Sequence, residues 1–403
     1  MRFLLVTAGS RGDVEPFALL ARRLSASGHS VRLIVPDGSA VDLEGIEAGS
    51  LGVDFNALIQ AQGVSPVAAM RAMGERIRPA MATVFATAAR EVVATRPDVV
   101  VAHPKILSAP DAAASVGSRM AWVETVPSLT PTREFPAPGV ATRDLGPLNR
   151  ATYAAARGAA RMFRSELEAA RATLPDRPAG APEATDGATI SLVPVSPVLL
   201  PRPADWPPTT HLTGAWTGAD AGPVALDDAT ARFVADGPFA YVGFGSMAQG
   251  DASERGRAVV SALRGRGLRA LVATGWGGVE VPADVRGADV HVVDSVPHRA
   301  VLPHAVVAVH HGGAGTVHAV ARAGVPHVVV PFIADQPFWG RVLHERGLGS
   351  RPIPVRRLTA DHLARAVDEA VPLRPAAQDA AAAMRDEDGL AAAIEVLERH
   401  GAA

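Results

Sequence analysis

At 403 residues the chain is longer than one hydrophobic core usually supports, and with 48% hydrophobic residues it predicts two domains with a core in each. A formal net charge of −2 without a long run of one sign leaves nucleic acid no electrostatic footprint. The absence of cysteine excludes disulfides, thiolate nucleophiles and cysteine-based metal sites.

The opening "MRFLLVTAG" carries one basic residue before an apolar stretch too short for a secretion signal, and no apolar run is long enough to span a bilayer; the expectation is a cytoplasmic protein. "RFLLVTAG" predicts a strand that ends at glycine. Pro16 then suits a first helical turn, "FALLARRLSASG" runs amphipathically to Gly28 as a C-cap, and "HSVRLIVP" is the next strand, completing a βαβ unit. Residues 55–95 read mostly helical. There "VAAMRAM" and "MATVFATAAREVV" place Met and Phe at helical spacing, which packs a core and also suits a flexible wall for an apolar ligand. "PDVVVAHP" and "RMAWVETVP" are further strands. From 177 to 230 the composition turns to Pro, Asp, Ala and Gly, as an inter-domain connection would. A second α/β series follows: "FAYVGFGSM", a helix over about 253–266, "LRALVATG", "VHVVDSVP", "AVVAVHHGG", "VPHVVVP", a helix in "TADHLARAVDEA" and a closing helix "GLAAAIEVLERH". The expected division is a first domain at 1–205, a linker at 206–230, a second domain at 231–380, and a helix at 381–403 packing back across the domains.

Residues 305–340, "AVVAVHHGGAGTVHAVARAGVPHVVVPFIADQPFWG", are the most informative. A buried strand ends at His310, a glycine-rich turn follows, and a helix starts near Thr316. Glycines let backbone N–H groups approach an anion, and the free amides of a helix N-terminus favour negative charge. The pattern points to a phosphate site, with His310 and His311 as donors at the turn. A second strand ends at Asp335 and Gln336, and ligands in open α/β sheets bind at such strand ends. Glycine at a strand-to-helix turn also has a purely steric use, so both readings stand on the residues alone. Asp13, at the tip of "AGSRGDVEP", has two readings as well: a helix cap, or a carboxylate able to take a proton.

"HHGGAGT" followed by "AGVPHVVVPFIADQPFWG" resembles the sugar-nucleotide signature of family-1 glycosyltransferases with the GT-B fold, and "GSRGDVEP", with "TPTREFP" more weakly, resembles their sterol and glycopeptide-antibiotic branch. The resemblance implies an α/β fold of two Rossmann-like parallel-sheet domains facing a central cleft. It implies an inverting enzyme that moves a sugar from a UDP- or dTDP-sugar to a hydroxyl of a lipophilic acceptor, a polyketide, glycopeptide or sterol. No cofactor or metal is implied, and the lone Asp-x-Asp, Asp386 and Asp388, reads as a cap of the closing helix. Residue by residue, it assigns the donor diphosphate to His310, Gly312, Gly313, Gly315 and Thr316, with Ser246 as a further donor. Asp335 and Gln336 are assigned to sugar hydroxyls, and Ser295, Val296 and His298 to the base. Ser295 stands where plant members carry a tryptophan. Trp276 is either packed or at the same crevice. Asp13 takes the place of a histidine base, with Ser10 and Arg11 on the same loop facing the cleft; Asp335 is a rival base, and His103 reads as structural. The chain would be a monomer or homodimer. Two other classes stay open, a nucleotide-sugar epimerase of the same fold and a non-catalytic protein that binds nucleotide sugar or lipid. A nicotinamide oxidoreductase is disfavoured because "GSRGDVEP" lacks the Gly-x-Gly-x-x-Gly spacing.

Overall fold

Short β-branched runs, each followed by an amphipathic helix, can bury both faces of a strand only in a parallel sheet covered on two sides. The computed structural model has this architecture twice. It describes residues 1–60, 72–178, 189–217, 225–245, 247, 250–275 and 277–402. The chain divides into two units, one of Met1–Val195, Arg202–Gly218 and Asp388–Ala403, the other of Ser196–Pro201 and Ala219–Glu387.

In the first unit the described strands are β1 (Arg2–Val6), β2 (Ser30–Val35), β3 (Glu47–Ser50), β4 (Val99–Ala102), β5 (Arg119–Val123), β6 (Thr189–Val193) and β7 (Thr210–Leu212). They pair in the order β3-β2-β1-β4-β5-β6-β7, all parallel. Alternation along β1 sorts its side chains. Phe3 and Leu5 pack with Phe17, Leu20 and Leu24 of the helix Arg11–Ala26 and with Leu390, Ile394 and Leu397 of the closing helix Gly389–Ala402. Leu4 and Val6 face the other way, onto Val84, Phe85 and Ala88 of the helix Arg78–Thr95. Each such side chain, fully buried, contributes about 1.5–3 kcal/mol.

In the second unit β8 (Phe239–Gly243), β9 (Arg269–Ala273), β10 (Val290–Val293), β11 (Val307–His310) and β12 (His327–Val329) form a parallel sheet in the order β10-β9-β8-β11-β12. Ala240 and Val242 meet Val259, Leu263, Leu363 and Val367 on one face; Phe239 and Tyr241 meet Phe233, Leu302 and Val320 on the other.

Several boundaries differ from the sequence expectation. β7 lies inside the stretch expected to be linker, because Ser191 donates to Thr209 O and Thr213 to Val193 O, which binds it to β6. Ser196–Pro201 belongs to the second unit, where the Ser196 N–H donates to His318 Nε2 (3.2 Å) and its hydroxyl to Glu387 (2.7 Å). Of the segment 381–403, residues 381–387 fall in the second unit and the closing helix Gly389–Ala402 in the first; Asp388 caps that helix by accepting from Ala391 N–H (2.9 Å) and pairs with Arg23 (2.9 Å). Pro16 stands inside its helix rather than in the first turn, since the helix already begins at Arg11. The methionine-bearing stretch expected to be helical lies partly at 61–71, outside the described residues.

Candidate active site

The turn after β1 is built around the carboxylate of Asp13. Gly9 makes room for it: with φ at +137°, a Cβ there would come within 2.0 Å of Asp13 Oδ2. Only glycine takes that conformation and leaves that space. Asp13 is the third residue of the helix, and its carboxylate reaches back to the N-cap, Ser10, whose N–H donates to Oδ2 (2.8 Å) and whose hydroxyl lies 3.4 Å from the same oxygen. Asp13 is therefore a helix cap.

It is also more than a cap, because β4 lies beside β1 and its terminal loop brings two further groups. Lys105 Nζ is 3.2 Å from Oδ2 and His103 Nε2 is 3.2 Å from Oδ1. His103 Nδ1 accepts the backbone N–H of Lys105 (3.1 Å), which puts the ring proton on Nε2, donating to Asp13. Burial lowers the His103 pKa, against the raising effect of Asp13, so the ring is neutral. Burial alone would raise the Asp13 pKa; the Lys105 ammonium, the His103 donor and the Ser10 amide outweigh it and hold the carboxyl well below the usual range. The Asp13 side chain is 20% exposed, so a solvent-side group can reach it. Ser10 is the N-cap and Arg11 the first residue of the helix, with Arg11 turned into an exposed pair with Glu15 (3.2 Å). Sequence reasoning set His103 aside and passed over Lys105. The register of β1 with β4, Val6 opposite Ala102, is the signal that would have placed both beside the first turn.

In the second unit the turn after β11 makes a different use of its histidines from the one expected. His310 is fully buried. Its Nδ1 accepts the Gly312 N–H (3.1 Å), so its proton is on Nε2, which donates to His327 Nδ1 (2.9 Å). Burial, reinforced by the neighbouring histidines, holds its pKa far down. Neither nitrogen is left for a diphosphate, and the ring fixes the turn instead. His311 is the histidine beside the turn: its ring lies against Gly245 and Gly313, hydrogen-bonds the backbone of Gly243, and leaves Nδ1 without a partner among the described residues. Burial lowers its pKa to about 4.

The helix Ala314–Arg322 begins two residues earlier than expected, capped by Gly313. Val317 N–H is bonded to Gly313 O, and the amides of the preceding turn have no helical carbonyl behind them. Gly312 has φ at +91°, and a Cβ there would meet Val329 Cγ1 at 2.7 Å. Gly315 differs: it is exposed and a side chain there would enter open space. Thr316 is half-buried.

Gln336 is buried, its Oε1 accepting from the N–H groups of Phe332 (2.7 Å) and Ile333 (3.1 Å) and its amide donating to Met247 sulfur (3.3 Å). It shapes the loop that carries Asp335, where Ala334 is held at φ +56°. Asp335 stands at the N-cap position of the next helix without a side-chain capping bond, and its Oδ2 accepts from Trp339 Nε1 (3.0 Å). Ser295 is exposed after β10, Val296 is half-buried, and His298 Nε2 pairs with the Tyr241 hydroxyl (2.9 Å). Ser246 and Trp276 lie outside the described residues.

Among the described residues no group of three or more His, Asp or Glu side chains gathers as a metal site would, and no helix is long and apolar enough to cross a membrane.

Known proteins resemble both halves. The family model described as "Glycosyltransferase family 28 N-terminal domain" matches residues 3–121, and "Erythromycin biosynthesis protein CIII-like, C-terminal domain" matches 279–396. The chain is 28% identical to a sterol 3-beta-glucosyltransferase of Arabidopsis thaliana, over 99% of this chain and 68% of that protein. It is 30% identical to the vancomycin aglycone glucosyltransferase of Amycolatopsis orientalis, over 98% of this chain and 97% of that one. Its fold matches that of the glycotransferase of kitacinnamycin, with a TM-score of 0.72, 22% identity and coverage of 99% and 98%. It also matches the glycosyltransferase VinC, whose structure is a complex with dTDP, with a TM-score of 0.64, 20% identity and coverage of 100% and 99%.

Proposed function

Because the chain belongs to the family-1 glycosyltransferases, enzymes with the GT-B fold of two parallel-sheet Rossmann-like domains, we propose that it moves a sugar from a UDP- or dTDP-sugar to a hydroxyl of a sterol or other lipophilic natural product, inverting the anomeric centre. The observation that carries this reading is the ionised, partly exposed carboxylate of Asp13, seated by Gly9 and held by the Ser10 N–H, His103 and Lys105.

An alcohol is a poor nucleophile until its proton is taken. Asp13 receives the hydroxyl proton as the oxygen attacks the anomeric carbon; the bond from that carbon to the diphosphate breaks, and the nucleoside diphosphate leaves. No protein nucleophile intervenes, and a single displacement inverts. The charge that develops on the diphosphate is met by the first-turn amides of the helix Ala314–Arg322, including those of Gly315 and Thr316, and by the Ser246 hydroxyl; His311, whose ring proton goes to the Gly243 backbone, packs beside the turn. His310 and Gly312 hold that turn in shape. Asp335 reads the sugar hydroxyls on a loop that Gln336 organises, while Ser295, Val296 and His298 border the base. The transfer needs no metal. The epimerase and binding-only readings require no base at Asp13, which separates them from this one.

Calorimetric titration with UDP, dTDP, ADP and NAD tests the donor site, on wild type and on Gly315→Phe, whose ring enters the open space at the helix's first turn. UDP or dTDP binds with a Kd of about micromolar order, and the substitution weakens it at least tenfold without unfolding the protein. Absence of pyrimidine-nucleotide binding, or a variant that binds as wild type does, overturns the reading.

A further inference from the structure

Lys105 is the one lysine among the 39 lysine and arginine residues of the chain, and it stands 3.2 Å from Asp13 Oδ2. Every other cationic side chain of the two types is arginine, including all the other arginine or lysine ion-pair partners described. The two are not interchangeable on a carboxylate. A guanidinium grips both oxygens with a rigid planar fork, whereas an ammonium is a point charge on a flexible stem that can swing away without a fixed geometry to break.

The surroundings show why that difference matters here. Oδ1 is taken by His103, which is 6% exposed, and Oδ2 by the Ser10 amide, which is part of the backbone. Neither can move aside. Lys105, 45% exposed against 6% for His103, is the side chain on the carboxylate with room to move, and it pairs with Oδ2. From outside its own helix, His103 and Lys105 are the titratable groups that act on Asp13, and on its own helix Arg11 is paired with Glu15.

We propose that Lys105 is a removable counter-ion: it holds Asp13 in place while no acceptor is bound and gives up Oδ2 to the incoming hydroxyl. The inference rests on Asp13 being the base, and it resolves a difficulty in that reading. A carboxylate held far below its usual range is a weak proton acceptor, and because Lys105 is the leading group that lowers it, withdrawal of the ammonium restores basicity when the hydroxyl arrives. Lys105 is a positioning residue, acting through Asp13.

The test compares Lys105→Met, Lys105→Arg and Asp13→Asn. UDP release from UDP-glucose and dTDP release from dTDP-glucose are followed against pH, in water alone and with cholesterol in micelles. Lys105→Met leaves burial unopposed by the ammonium, so the acid limb of its profile moves up by at least one pH unit. Lys105→Arg keeps the wild-type limb, because the charge remains, but its fork occupies Oδ2 and the rate falls at least tenfold. Independently of any acceptor, reductive methylation with ¹³C-formaldehyde labels only Lys105 and the amino terminus. The Lys105 signal, assigned by its loss in Lys105→Met, shifts when Asp13→Asn is introduced. An unshifted signal, an unmoved limb in Lys105→Met, or an arginine variant equal to wild type overturns the inference. If Asp13→Asn keeps the wild-type rate, the base reading itself has failed; if it is inactive while both lysine variants behave as wild type, only the counter-ion role has.

Discussion

Replacing His310 with leucine keeps a buried side chain of similar size at the end of β11 but removes both hydrogen-bonding nitrogens. Two interior groups then lose their partners: the Gly312 N–H, which donates to Nδ1 at 3.1 Å, and His327 Nδ1, which accepts from Nε2 at 2.9 Å. Each stranded polar group costs about 1–3 kcal/mol, so the variant is destabilised by about 2–5 kcal/mol once the extra apolar burial is set against it. His310→Asn separates the two contributions. Its amide oxygen stands close to the place of Nδ1 and keeps the Gly312 bond, so about half the cost remains. Urea unfolding followed by circular dichroism gives the stabilities, and calorimetry with UDP at 15 °C, where the variants are folded, gives the affinities. A large loss of stability is expected, with UDP affinity within about threefold of wild type. A leucine variant as stable as wild type within about 0.5 kcal/mol, yet at least tenfold weaker for UDP, would refute it and return His310 to the diphosphate.

The neighbouring histidines give a pH prediction. His311 and His318 have pKa values lowered to about 4 and His327 to about 3, by burial first, so all three are neutral when folded and take up protons more readily when unfolded. Stability is therefore full above the unfolded histidine pKa of about 6.5 and falls from there toward pH 4, with a slope of up to about 1.4 kcal/mol per pH unit for each ring. Urea midpoints at pH 7.5 and 5.0 check it; equal midpoints contradict it. At the other site, Gly9→Ala forces a Cβ to within 2.0 Å of Asp13 Oδ2 in a φ of +137°, which costs about 2–5 kcal/mol and displaces the carboxylate. Thermal unfolding and turnover are both expected to fall, and a variant with wild-type turnover contradicts the seat assigned to Gly9. Gln336→Leu strands the Phe332 and Ile333 amides and loosens the loop of Asp335, so KM for the donor rises more than kcat falls; an unchanged KM contradicts it.

The repeated strand and helix rhythm is written locally, in apolar β-branched runs ending at glycine, and both parallel sheets follow from it. Asp13 was legible for the same reason, since it falls in the turn that directly follows β1. His103 and Lys105 were not, because their closeness to Asp13 comes from sheet order, with β4 beside β1 across more than 90 residues, and no local pattern states that order. His310 was misread because all four residues of β11 are buried, so alternation carries no sign of which way the last one turns; its partner, His327, sits on the neighbouring strand. β7 was hidden by its length: three residues, "THL", inside a proline-rich stretch give too short a run to register as a strand.

The most direct test of Asp13 as general base is the transfer rate of Asp13→Asn at saturating donor, with UDP-glucose or dTDP-glucose and cholesterol or vancomycin aglycone, product being detected by mass spectrometry. Asparagine keeps the shape of the carboxylate but cannot take a proton. With Asp13 as the base, the wild type forms a glycoside and the variant's rate is lower by about 10²–10⁴-fold, with UDP affinity unchanged. A variant that transfers at the wild-type rate, or one that loses its rate only because it no longer binds UDP, would contradict it.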